Sequence, residues 1–276
     1  TICALLEKDD VILIDKLVHA SIVDAARLSG AKLRVFAHND PNDLEDILKW
    51  AGARTPKSQV LIVTESVFSM DGDQAPMRTL ADLKDKYGAW LMVDEAHAAG
   101  LFGKNRRGLA EEAGVSDRIE IQMGTLGKAV GSAGGYICGS RVLIDFLVNR
   151  ARSFIFSTAP PPAAAAAAVA GLRFIESKAG ADRCRSMWRR VSECASGLGL
   201  QTATPPSAIL PILIGDESKA VDTSAALRAQ GLFVPAIRYP AVARGSARLR
   251  LTVTAAHSPE DVSTLIVALH DLGIGL

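Results

Sequence analysis

The sequence predicts an α/β fold, with a mostly parallel central sheet flanked by helices and a smaller C-terminal α/β domain. Three observations predict it. Short apolar runs alternate with longer amphipathic ones through the first 140 residues, the pattern of strands joined by crossover helices. The run "LMVDEAHAAG" (91–100) carries a buried strand straight into two carboxylates and a histidine, at the kind of strand end where open α/β sheets bind ligands. A Pro-headed, alanine-rich stretch from residue 161 then separates this half from a second alternation of strands and helices.

The elements follow in order. "TICALLEKDDVILID" reads as the end of a helix running into a strand at 11–15. Further strands are expected at 33–36, 59–66, 89–95, 119–124 and 134–139. "PNDLEDILKW" opens with proline and an acidic first turn, both helix-start signals. Over 77–87, Met77, Leu80, Leu83 and Tyr87 fall at three- and four-residue spacing, one face of a helix. The six-alanine run is a helix by propensity and carries no chemistry; a second helical stretch follows and ends near Gly197. Strands at 208–215, 232–238 and 247–254, with helices near 217–230 and 258–271, make the second α/β unit. The expected division is a large domain at 1–160, a helical connection at 161–197 and a C-terminal domain at 198–276.

Composition excludes several classes of function. Of 276 residues, 49% are hydrophobic, enough for a substantial core. Thirty-one basic and 30 acidic residues leave a net charge of +1, so no bulk field draws nucleic acid or an anionic membrane. No apolar stretch reaches the ~20 residues of a membrane span. Cys3, Cys138, Cys184 and Cys194 lie too far apart for CxxC ligation; they read as free thiols in a reducing, cytoplasmic setting, with no metal site expected. The chain begins at Thr1 without Met or a signal-like segment, and the natural protein is expected to begin further upstream.

The second informative stretch is "MGTLGKAVGSAGGYICG" (123–139). Alone it is a glycine-rich loop with a lysine. GxxxxGK[ST] is absent, and the glycines lack the position and spacing of a dinucleotide fingerprint. Joined to Asp94 and His97, Lys128 acquires a specific task. Pyridoxal phosphate chemistry needs a lysine to carry the cofactor and an acid to keep its pyridine nitrogen protonated. Asp94 fits the acid, His97 a partner for the ring hydroxyl, and Thr125 a hydroxyl near the phosphate.

Six segments then carry a resemblance: "KLVHASIVDAARLSGAKLRVFAHND", "VTESVFSMDGDQAPM", "LMVDEAHAAG", "TLGKAVGSAGGY", "FSTAPPP" and "AIRYPAVARGSARLRLTVTAAHS". In this order, over essentially its whole length, the chain resembles the α-oxoamine synthase family of pyridoxal phosphate enzymes, fold type I. The resemblance implies pyridoxal 5'-phosphate held by Lys128 as a Schiff base, with Asp94 on the pyridine nitrogen. It implies His97 at the ring hydroxyl with Ser69 beside it, Thr125 at the phosphate, and His19 stacked on the ring, where it can position or protonate substrate. Thr158 would contact the neighbouring subunit's phosphate, which implies a homodimer with a shared active site.

For the substrate carboxylate a guanidinium is required, because its fork accepts both oxygens. "ARLRLT" places Arg248 and Arg250 on one strand face; the resemblance selects Arg250, with Arg238 as second candidate. The implied substrates are L-alanine and pimeloyl-CoA or a pimeloyl carrier protein thioester, condensed with loss of CO2. Glycine with acetyl-CoA is the alternative pair within the family. A different class is a fragment or partner subunit that binds the cofactor without turnover, and the retained Lys128 argues against it.

Two departures stand out. Tyr239, Pro240 and Ala241 occupy positions where close relatives carry Pro-Pro-Thr, which leaves acyl specificity open. The family's first segment, with its glycine–aromatic loop and a substrate-binding arginine, has no counterpart here, so an inactive fragment is one of the readings left open.

Overall fold

A run of residues that is apolar on both faces must be covered on both, and Val11–Asp15 (β1) and Val60–Glu65 (β3) are such strands. The computed structural model describes residues 1–54, 58–200 and 207–274. Within it β1 and β3 pair in parallel at the heart of a six-stranded sheet. Lys32–Phe36 (β2) forms one edge beside β1; Trp90–Asp94 (β4) and Ile121–Thr125 (β5) extend the sheet beyond β3, all in parallel. Gly135–Cys138 (β6) closes it antiparallel to β5. The edge strand β2 is largely exposed, whereas β1 is buried throughout.

The helices have local causes. Ile2–Leu5 (α1) stops before β1. Ala20–Ser29 (α2) and Met77–Tyr87 (α4) end on Gly30 and Gly88 at φ 74° and 64°, left-handed caps that favour glycine. Between them runs Pro41–Arg54 (α3), with Asp43 in its first turn. A short Leu109–Glu112 helix (α5) follows β4, then Arg141–Arg150 (α6), capped by the Ser140 side chain, and Arg152–Ile155 (α7). Pro162–Glu176 (α8) is the alanine-rich helix, with proline in its first turn. The α2, α5, α6 and α7 helices were not among the expected elements.

The chain divides into two compact units: Thr1–Phe68 with Ala75–Ser177, and Ser69–Gln74 with Lys178–Leu276. The stretch expected as a connection at 161–197 is thus split, α8 going to the first unit and Lys178–Gly197 (α9) to the second. The expected C-terminal domain at 198–276 includes residues 201–206 and 275–276, which lie outside the described residues.

In the second unit Ile209–Gly215 (β7), Ala236–Ile237 (β8) and Ala247–Thr252 (β9) form an antiparallel sheet in the order β7-β9-β8, with Glu217–Ala229 (α10) and Pro259–Asp271 (α11). A reciprocal capping box of Ser258 and Asp261 starts α11. The strand expected at 232–238 shrinks to Ala236–Ile237, because Pro235 has no N–H for the ladder. Along β9, Ala247, Leu249 and Leu251 are buried while Arg248 and Arg250 share the other face. Among the described residues no helix is long and apolar enough to cross a membrane.

Candidate active site

Parallel strands deliver their C-terminal residues to one edge, and here β1, β3, β4 and β5 end on Asp15, Glu65, Asp94 and Thr125. Asp94 sits between Glu65 and Met123 in register. Its carbonyl accepts both the N–H (2.9 Å) and the hydroxyl (3.1 Å) of the buried Ser66. Oδ1 accepts the Ala96 N–H at 2.8 Å. Burial pushes the Asp94 carboxyl above the usual carboxylate range; the Ala96 hydrogen bond and the nearby charges of Lys128 and His19 act against that rise. Among the described residues Asp94 has no ion-pair partner.

Beyond Asp94 the backbone turns, with Ala98 and Ala99 donating to the Glu95 carbonyl at 2.9 and 2.8 Å. The turn presents half-buried His97, whose Nε2 lies 2.9 Å from Lys128 Nζ. Lys128 is exposed on a loop closed by Leu126 N–H to Gly134 O and Ser132 N–H to Leu126 O, both 2.8 Å. Gly131 lies inside that loop at φ 71°, a conformation that strains any residue with a Cβ. Thr125 stands at its base, accepting from Gly127 N–H and donating to Gly134 O, each at 3.2 Å. The exposed His19 caps α2: its Nδ1 accepts the Ser21 N–H at 3.2 Å and lies 2.8 Å from Ser21 Oγ.

Asp94, His97, Lys128 and His19 are therefore brought together in the first unit, with Thr125 at the foot of the lysine loop. A buried acid with no ion-pair partner among the described residues fits a ligand that brings a cationic nitrogen. An exposed primary amine beside it fits a ligand that brings a carbonyl. Pyridoxal phosphate has both, so these residues fit that cofactor.

The second unit holds three of the other expected residues. Arg250 Nε donates to the Ser69 carbonyl at 2.6 Å and Nη1 to Thr252 Oγ1 at 3.0 Å. Burial draws its guanidinium pKa downward, and no carboxylate meets it among the described residues. Arg248 differs: it pairs with the Asp71 carboxylate and also reaches Met70 O. Arg238 is exposed just beyond β8. Thr158 is exposed in the first unit, between α7 and α8. Sequence reasoning passed over Glu95, which is 2% exposed; the only signal was a second carboxylate in the same short run.

Comparison with known proteins gives three findings. The family described as "Aminotransferase class I and II" matches residues 1–269. The chain is 46% identical over 274 residues to 8-amino-7-oxononanoate synthase of Anaeromyxobacter dehalogenans (strain 2CP-C), covering 99% of this chain and 68% of that protein. Among solved structures, a serine palmitoyltransferase variant from S. paucimobilis with bound PLP and myriocin superposes with a TM-score of 0.92 at 31% identity, covering 99% of this chain and 69% of that one. The 8-amino-7-oxononanoate synthase of Francisella tularensis gives 0.81 at 29% identity, covering 98% and 78%.

Proposed function

The chain belongs to the class I and II aminotransferase family and, within it, to the α-oxoamine synthases, and on that premise we propose that it carries out the 8-amino-7-oxononanoate synthase reaction. L-alanine is condensed with pimeloyl-CoA, or with a pimeloyl carrier protein thioester, releasing CO2 and the free thiol in biotin biosynthesis. The observation that carries this reading is the buried Asp94, with no ion-pair partner among the described residues, beside the Lys128–His97 pair.

Pyridoxal phosphate supplies an electron sink for charge developing at the amino acid's α-carbon. Lys128 would hold the cofactor through Nζ, and its amine is the group that would take the amino acid's α-proton. Asp94 keeps the cofactor's ring nitrogen protonated, because a carboxylate stabilises a pyridinium where an amide does not. His97 bonds the ring hydroxyl, joined by Ser69. Thr125 and the backbone N–H groups of its loop hold the phosphate. His19 would stack on the ring, where its imidazole could position or protonate substrate. Arg250, with Arg238 in reserve, would grip the amino acid's carboxylate, since its guanidinium meets no carboxylate among the described residues. Thr158 serves the phosphate of a second copy, so the working unit is a homodimer, and cysteines that form no disulfide among the described residues suit the cytoplasm.

The test is direct. Protein is incubated with pyridoxal phosphate, alanine and pimeloyl-CoA, and thiol release is followed. Borohydride reduction and digestion should leave the pyridoxyl group on Lys128, and Lys128→Ala should lose the visible absorbance. Attachment to another lysine contradicts the assignment. Cofactor binding without thiol release favours the non-catalytic reading, and faster release with glycine and acetyl-CoA moves the substrate assignment.

A further inference from the structure

Glu95 is a buried carboxylate that the proposed chemistry leaves unused. It follows Asp94, so on an extended backbone the two side chains leave opposite faces of the sheet. Its two oxygens accept the backbone N–H of Leu109 at 3.0 Å and of Ala110 at 2.8 Å. Gly108 lies so close that a Cβ there would stand 2.5 Å from the Glu95 carboxyl carbon, and its φ is 135°. The main chain of Glu95 is tied as firmly. Its N–H donates to Met123 O at 2.7 Å, and its carbonyl closes the turn that carries His97. At the far end of the 98–108 loop, Gly100 N–H meets Arg106 O at 2.8 Å and Gly108 N–H meets Phe102 O at 3.1 Å.

We infer that Glu95 is a positioning residue of the active site: its carboxylate clamps residues 108–110 to the end of β4 and thereby fixes His97 against Lys128. The clamp rests on the proposed function only for what Lys128 and His97 go on to hold. A carboxylate is the group this position needs. Two N–H donors converge on it, and glutamine could accept one of them while turning its own N–H groups on the other. Aspartate is one methylene short. Burial pushes the Glu95 carboxyl upward, against the pull of the Ser66 hydroxyl and the Ala110 and Leu109 N–H groups. A buried carboxyl is an expensive stitch if it only holds a loop, because apolar packing would do that at lower cost. Its use lies in setting a distance.

The test uses Glu95→Gln, Gly108→Ala and the double variant. In cofactor-free protein the His97 ring resonances should move in Glu95→Gln, whether or not the enzyme turns over. In the cofactor-loaded protein kcat should fall on the order of 10- to 100-fold, as for a displaced catalytic group, with the alanine KM near wild type and the visible band displaced. Gly108→Ala presses on the same contact from the other side and should move the same signals. The double variant should be no worse than the more damaged single one, since both break one contact. If Glu95→Gln does not fold, Glu95→Asp and Gly108→Ala carry the measurement. Unmoved His97 resonances and an unmoved band in variants that merely melt earlier would overturn the inference. A wild-type protein that binds no cofactor would instead sink the proposed function and leave the His97 result standing.

Discussion

Each unit of this chain holds two like-charged side chains close together, and in each unit one is provided for while the other has no ion-pair partner among the described residues. In the first, Glu95 is met by two backbone N–H groups, whereas its neighbour Asp94 receives one N–H and, among the described residues, no ion pair. In the second, Arg248 meets Asp71, whereas Arg250 meets a carbonyl and a hydroxyl and no carboxylate among the described residues. Burying charge without compensation is costly. Such a cost is retained where a ligand supplies the missing partner, so the uncompensated acid and the uncompensated guanidinium are read as ligand-facing. Their satisfied neighbours hold the protein in shape.

That contrast can be broken by substitution. Asp94→Asn should be the most damaging to turnover, costing about 2.7–4 kcal/mol of transition-state stabilisation, as expected for a preorganised electrostatic group. The cofactor-free variant should melt no earlier than wild type, because an unpaired buried charge has been removed. Alanine α-proton exchange and thermal melting read the two halves of this prediction.

Arg250→Ala should weaken alanine binding by about 2–3 kcal/mol through loss of a charge-assisted hydrogen bond, leaving the visible band of the resting protein unchanged. Lysine at this position should restore only part, because a point charge lacks the fork. Unaltered alanine affinity would move the role to Arg238. Arg248→Ala should behave in the opposite way, costing stability of about 1–2 kcal/mol as a half-buried charged hydrogen bond is lost while alanine binding holds.

The smallest effect is on the pH dependence of stability. Burial raises the Asp94 pKa above the ordinary 3.8, so between the two values the folded, cofactor-free protein binds more protons than the unfolded chain. Over that window this residue's contribution makes stability fall as pH rises. Asp94→Asn should remove its share of the slope, and the difference between the two melting-temperature profiles measures it.

Much of this was legible in the sequence, for physical reasons. Strands buried on both faces announce themselves as unbroken apolar runs, and 11–15 was read to the residue. That Asp94, His97 and Lys128 lie together was legible because each side chain is of a type that the proposed chemistry requires. Period-two spacing put Arg248 and Arg250 on one face but could not separate them; what separates them is Asp71, some 180 residues away in the chain. The role of Glu95 left no side-chain signature, since its partners are backbone N–H groups 14 and 15 residues downstream. The α2 and α6 helices went unread for want of a strong apolar stripe: Ile22 and Ala26 are the buried residues of one, Leu147 of the other.

The central claim is that Asp94 keeps its charge for a cation that the cofactor brings. It is tested most directly by 15N NMR of protein loaded with pyridoxal phosphate labelled at the ring nitrogen. A protonated nitrogen is expected in the wild type near neutral pH and an unprotonated one in Asp94→Asn. A ring nitrogen that is unprotonated in the wild type, or that stays protonated in the variant, would contradict it.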